Sequence, residues 1–291
     1  MFRGSIPALV TPFRGEAFDE AGFRTFVEWQ IAEGSHGLVA CGTTGESATL
    51  SADEHRRVIE ICVEVAGGRV PVIAGCSSND TASARRLMLA AAAAGANAAL
   101  FVPPYYNRPN QDGIYAHFAA LAASSDLPII LYNVPTRTVT DIHVETMARL
   151  ARIPTIIGVK DATGNLGRVT AQRLACGEDF MQLSGNDEMA LGLFAMGGIG
   201  CISVTANVAP QLCSRFQNAC AAGDWPLALT LQDRLYPLHV ALFSDASPGP
   251  TKYALARLRP EISAELRLPM TPPSGASREA VDAALAHAGL V

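Results

Sequence analysis

The chain has 291 residues, 22 of them basic and 27 acidic, a net charge of −5 and 49% hydrophobic residues. An acidic chain without a basic run lacks the electrostatic footprint that phosphate-backbone binding needs, and so much apolar content excludes disorder as the main state. The basic residues are 20 Arg and only two Lys, Lys160 and Lys252, so a lysine in this chain is a rarity.

From the N-terminus, the apolar stretch before Phe13 is too short and too Pro-broken for a signal peptide. The longest apolar run, Leu87 to Pro104, is interrupted by Gly95 and Asn97 and reads as a helix, a turn and a strand rather than a membrane span. A soluble, cytoplasmic protein is expected. Seven cysteines, odd in number and without C-x-x-C spacing, read as reduced, buried thiols.

Eight short β-branched or apolar runs follow one another: Ile6–Val10, Gly37–Cys41, Val70–Gly75, Ala98–Val102, Pro128–Tyr132, Thr155–Lys160, Phe180–Leu183 and Ile199–Val204. Each gap between them carries a helical period, the alternation that a parallel sheet with crossover helices requires. Ser51 with Glu54 forms a capping box, Gly34 and Gly95 stand where left-handed caps would close helices, and Phe23, Phe26 and Val27 give the first helix its buried stripe. Eight such units, with no G-x-G-x-x-G turn after the first strand, predict a (β/α)8 TIM barrel over residues 1–224 that carries the active site. Residues 225–291 read as a small C-terminal helical extension, with helices over Leu227–Leu242, Pro250–Leu258, Pro260–Leu266 and Ser277–Ala288.

Barrel chemistry belongs at the C-terminal ends of the strands. Strand two ends in G-T-T-G-E-S, strand four in P-P-Y-Y-N, strand five in Y-N-V-P-T-R-T, strand six in G-V-K-D-A-T-G-N-L and strand seven in S-G-N-D-E. Alternation counted from Ile156 through Gly158 aims Lys160 into the barrel. Burial favours the neutral form of an amine, and a neutral amine attacks a ketone to form a Schiff base. Otherwise Lys160 would snorkel from the mouth or pair with Asp161. Tyr132, ending the neighbouring strand, is a candidate proton relay or else a core aromatic. The turn Gly42-Thr43-Thr44-Gly45 offers free N–H groups and hydroxyls to a small carboxylate, and Arg137 could fork onto a second one. The six histidines lack H-x-H or H-x-x-x-H spacing, which disfavours a metal site, and Asp187 and Glu188 would repel a phosphate. Lys252, in T-K-Y-A-L, reads as an ordinary helix residue.

These blocks, with G-G-I-G-C-I-S-V-T-A-N, resemble the dihydrodipicolinate synthase family, within the pyruvate-dependent class I aldolases that include N-acetylneuraminate lyase. The resemblance implies that Lys160 captures pyruvate as a Schiff base and that Tyr132, Thr43 and Tyr106 relay protons, with Tyr106 donated by a partner subunit. It implies that Thr44 binds the pyruvate carboxylate, that Arg137 receives the carboxylate of aspartate semialdehyde, and that Gly185 and the Ile202 carbonyl line the pocket. No cofactor or metal is implied. The implied reaction condenses pyruvate with L-aspartate 4-semialdehyde to 4-hydroxy-tetrahydrodipicolinate, a step of lysine and diaminopimelate biosynthesis, in a homotetramer built as a dimer of dimers. A same-mechanism aldolase or dehydratase for a 2-keto-3-deoxy sugar acid is the alternative, and a non-catalytic pyruvate-binding paralogue a third. Ser47, His55, Asn79 and Tyr105 match the lysine effector site of the family, but Ala52 and Ser83 replace its His and Glu, which predicts weak or absent inhibition by lysine. Val139 stands where the family has Gly, and Ala246–Pro250 replaces a more usual Asn-Pro-x-Pro.

Overall fold

Strand-forming runs that are apolar on both faces have to be covered on both faces, and in this chain they close on themselves. The computed structural model describes residues 2–291. Its eight-stranded sheet comprises β1 (Gly4–Pro7), β2 (Leu38–Ala40), β3 (Val72–Gly75), β4 (Ala98–Phe101), β5 (Ile129–Asn133), β6 (Ile156–Asp161), β7 (Met181–Ser184) and β8 (Gly200–Ser203). Every pairing within it is parallel and sequential, β8 pairs back onto β1, and an Ala8–Val39 bridge joins β1 to β2, so the ring closes as a (β/α)8 barrel.

Alternation divides the side chains. Ile6, Val39, Leu100, Ile130, Leu183 and Ile202 fill the interior, while Phe23, Ile59, Phe118 and Leu131 pack between sheet and helices. The helices are α1 (Glu20–Ala32), α2 (Ala52–Ala66), α3 (Thr81–Ala93), α4 (Gln111–Ala122), α5 (Pro135–Thr138), α6 (Val144–Leu150), α7 (Gly167–Cys176), α8 (Ala190–Ala195) and α9 (Pro210–Ala222). Their ends follow local chemistry. Ser51 and Glu54 make the capping box of α2, and Gly34 and Gly95 adopt left-handed φ after α1 and α3. Among the described residues, no helix is long and apolar enough to cross a membrane. Among these residues the seven cysteines are free, and burial pushes the thiols of Cys41, Cys62 and Cys76 above their ordinary range.

The sequence pattern fails at three places. In β6, Ile129 pairs with Ile156 but Ile130 pairs with Gly158, a bulge that leaves Ile157 extra. Ile156 therefore joins the outer layer, and the count that began there reaches the interior at Lys160 only because the bulge resets it. A two-stranded hairpin, Phe13–Arg14 with Ala17–Phe18, precedes α1 without a sequence signal having been read for it. After α10 (Trp225–Ala241) and α11 (Gly249–Leu258), residues 260–266 are not helical. Pro260 forces Arg259 out of helical backbone, at φ −133°, and the segment then runs as an irregular strap over the barrel mouth until α12 (Gly275–His287). α10 and α12 pack with α9 and the final barrel loops in one apolar cluster that includes Phe216, Leu235 and Leu285.

Candidate active site

The register of β5 on β6 sets Tyr132 opposite Lys160 and Asn133 opposite Asp161. In adjacent parallel strands, opposed residues point to the same face, so Tyr132 and Lys160 enter the barrel together. The Lys160 side chain rises beside the phenol, with Nζ 4.0 Å from the ring centroid, and the residue is only 5% exposed. The π face offers the ammonium a weak partner that leaves the amine free to react. Asp161 faces the other way. It accepts from Thr163 and from Gln172 Nε2 (2.8 Å) and lies 3.5 Å from Arg168, so it does not pair with Lys160. A Cβ on Gly185 would sit 3.1 Å from Lys160 Cε and 2.7 Å from Ala162 Cβ; a glycine here keeps the amine's approach open.

Lys160 and Tyr132 form the inner end of a cleft of about 850 Å³, which Thr43 and Arg137 also line. Thr43 projects from the turn after β2, and Thr44 is buried behind it. That turn is stitched by Gly45 N–H to Gly42 O (3.1 Å), Glu46 N–H to Thr43 O (3.1 Å) and Thr11 Oγ1 to Gly45 O (2.7 Å). Arg137 lies on α5 at the exposed rim, without an ion-pair partner among the described residues. Ile202 is buried in the barrel interior with the Tyr132 cluster. Tyr106 lies outside the cleft, 90% exposed with φ +69°, on a loop tied to the Arg137 segment by Thr140 Oγ1 donating to Pro104 O (3.2 Å).

The candidate effector residues Ser47, His55 and Tyr105 line the same cleft farther out, while Asn79 contributes its backbone carbonyl to Asn107 Nδ2 (2.8 Å). His55 is buried with Nε2 2.7 Å from Gly75 O, and desolvation holds its pKa below the ordinary value. Asp187 does more than repel anions: its buried carboxylate accepts from Ser203 Oγ, Val204 N (2.8 Å) and Thr205 N (3.1 Å). The amides at the end of β8, where many barrels cradle phosphate, are already taken.

Residues 1–288 match the model of the Dihydrodipicolinate synthetase family. This chain belongs to that family. It is 69% identical, over the full length of both chains, to a 4-hydroxy-tetrahydrodipicolinate synthase of Rhizorhabdus wittichii. It also superposes, with TM-score 0.97 and 43% identity over all of both chains, on the chloride-inhibited dihydrodipicolinate synthase of Acinetobacter baumannii, solved with pyruvate. A monomeric dihydrodipicolinate synthase variant matches with TM-score 0.97 and 36% identity, covering 100% of this chain and 98% of that one.

Two residues of this family member's site region escaped the sequence reading. Lys252 is not an ordinary helix residue: its side chain is fully buried, and Nζ lies 2.5 Å from Oε1 of Glu46, itself buried in the turn that carries Thr43. The available signals were the scarcity of lysine, read only for position 160, and the carboxylate that ends G-T-T-G-E.

Proposed function

We propose that this chain is a Schiff-base-forming lyase that condenses pyruvate with L-aspartate 4-semialdehyde to give 4-hydroxy-tetrahydrodipicolinate. The observation that carries the reading is the in-register pair on β5 and β6, a buried amine beside a phenol at the inner end of a cleft with an unpaired guanidinium at its rim.

Lys160 Nζ attacks the ketone carbon of pyruvate, and loss of water gives the imine. Removal of a methyl proton forms the enamine, whose terminal carbon bonds to the aldehyde carbon of the semialdehyde; that oxygen takes a proton and becomes the hydroxyl. The substrate's amine then adds to the imine carbon and expels the Lys160 amine, closing the ring. One water leaves overall. In this reading Tyr132 and Thr43 carry the proton transfers, with Tyr106 completing the relay in a neighbouring subunit of a homotetramer, a role that suits a 90% exposed tyrosine. Thr44 and the N–H groups of Thr43 and Thr44, which the turn's own bonds leave free, hold the pyruvate carboxylate, Gly185 and the Ile202 carbonyl shape its seat, and Arg137 takes the semialdehyde carboxylate. The unpaired Arg137 favours this short carboxylated aldehyde over a hydroxylated sugar acid.

Borohydride reduction in the presence of pyruvate should leave a reduced three-carbon adduct on the Lys160 peptide, read by mass spectrometry, and turnover of aspartate semialdehyde should exceed cleavage of 2-keto-3-deoxygluconate. An unmodified Lys160 would sink the reading.

Lysine inhibits this protein weakly or not at all. Ala52 and Ser83 present no carboxylate or imidazole to the effector's amines. A lysine titration should leave activity essentially unchanged; half-inhibition below millimolar concentration contradicts this.

A further inference from the structure

Both lysines of this chain are buried: Lys160 lines the cleft, and Lys252 pairs with Glu46, which lines it too. Lys252 emerges from the first turns of α11 with its side chain 0% exposed, and its partner Glu46 is 2% exposed. Besides the ion pair, Nζ donates to Glu265 O (2.7 Å) and stands 4.2 Å from the centroid of the Phe13 ring. The second carboxylate oxygen of Glu46 accepts from Arg267 N (3.1 Å). The Glu46 side chain is thus held from two directions by the C-terminal segment.

Its backbone is equally engaged. Glu46 has φ +53°, ψ +35°, a left-handed conformation that a non-glycine residue adopts only under constraint. In that conformation its N–H closes the turn on Thr43 O, and its carbonyl accepts from Thr49 N and Thr49 Oγ1, both at 3.0 Å. Burying two charges is a poor way to gain stability, since a well-packed apolar pair does as well or better. Such a pair fixes one geometry, however, and here the geometry fixed is that of the residues from Thr43 to Glu46.

We propose that the Lys252–Glu46 pair is the device by which the C-terminal segment holds the Thr43–Thr44 turn in its pyruvate-binding geometry, which makes both residues positioning residues for pyruvate capture. This rests on the reading of that turn as the pyruvate carboxylate site. The charge state supports it independently. Desolvation outweighs the attraction of Glu46 and brings the Lys252 pKa down to about 8, with Arg267 pushing the same way and Glu265 opposing; Glu54 faces the pair from α2 across Arg267. Above that pH the pair loses its cation and its grip on Glu46.

The test compares the wild type, Lys252→Met and Lys252→Met/Glu46→Gln by borohydride trapping against pyruvate concentration, by steady-state kinetics for each substrate and by thermal midpoint. Lys252→Met leaves a buried unpaired carboxylate and loses stability. The double variant removes that charge and recovers the midpoint. If the pair positions the turn, half-saturation by pyruvate stays raised about tenfold in the double variant while the KM for the aldehyde moves less than about twofold. In the wild type, half-saturation by pyruvate also rises above pH 8 beyond any rise seen in the double variant; a limb common to both lies outside the pair. Recovery of both midpoint and pyruvate affinity in the double variant overturns the proposal, as does an identical pH dependence. Failure of wild-type Lys160 to trap pyruvate at any concentration strikes the Schiff-base reading instead.

Discussion

Val139 caps α5 with φ +54°, and the residue is 62% exposed. A β-branched residue is the least suited to the left-handed region, because its Cβ substituents crowd the following carbonyl, at about 1–2 kcal/mol. The conformation persists because Val139 N–H bonds to Pro135 O (2.9 Å) and the neighbouring Thr138 hydroxyl donates to Thr140 O (2.8 Å). Val139→Gly relieves the strain but widens the unfolded ensemble, so the expected net is a gain of about 0.5–1 kcal/mol in urea unfolding. The bond from Arg137 N–H, two residues earlier, to Val134 O (2.9 Å) is untouched, so the KM for the aldehyde should stay within about twofold. A loss of stability would mean that the added freedom of the unfolded chain outweighs the strain relieved. Lys160 differs in kind from Val139: its place inside the barrel beside Tyr132 was legible because strand alternation points it there. Lys252 was not, because nothing local marks a helical lysine as buried; only the fold brings Glu46 to it.

At the scale of elements, the eight strands and the helices between them were legible because each apolar run has a period, and caps such as Ser51–Glu54 act within four residues. What escaped depends on partners far away in the chain. The bulge in β6 exists only relative to β5, so no count along β6 alone could reveal that Ile157 is extra. Its consequence is chemical: it brings Lys160 into line with Tyr132, whereas the unbroken register would have set Lys160 against Asn133. The segment 260–266 has apolar residues at helical spacing, yet Ile262 packs into the main core from an irregular strap and Arg267 faces the barrel mouth. Of the candidate site, Lys160, Tyr132, Thr43 and Arg137 converge on one cleft as their strand-end positions implied. Tyr106 stands apart, 90% exposed and outside that cleft.

At the scale of the whole molecule, Arg267 ties that strap to the barrel. Its guanidinium forks onto Glu54 of α2, at 2.5 and 2.9 Å, donates to Thr49 O (3.1 Å) and to Glu16 O of the hairpin (3.0 Å), and lies 4.2 Å from the Phe13 ring centroid. The fork holds the Glu54 carboxyl at about 2, well below its ordinary 4.5, the hydrogen bonds from Arg267 being the largest cause. Because the folded pKa is the lower one, this contribution to stability is fully present above about pH 4.5 and is lost as pH falls toward 2. Both side chains keep some contact with water, so screening limits the pair to about 1–2 kcal/mol even with its bidentate geometry. Arg267→Ala should therefore unfold at lower urea than the wild type at pH 7, and the gap should narrow between pH 5 and pH 3, because the unfolded chain takes up the Glu54 proton near pH 4.5 while the folded wild type keeps that carboxylate ionised. A gap that stays constant across that range would assign the loss to the carbonyl bonds and the Phe13 contact, not to the charge pair. The same variant separates strap from site: Arg267 N–H reaches Glu46 through the backbone, which alanine preserves, so pyruvate half-saturation should change far less than in the Lys252 variants.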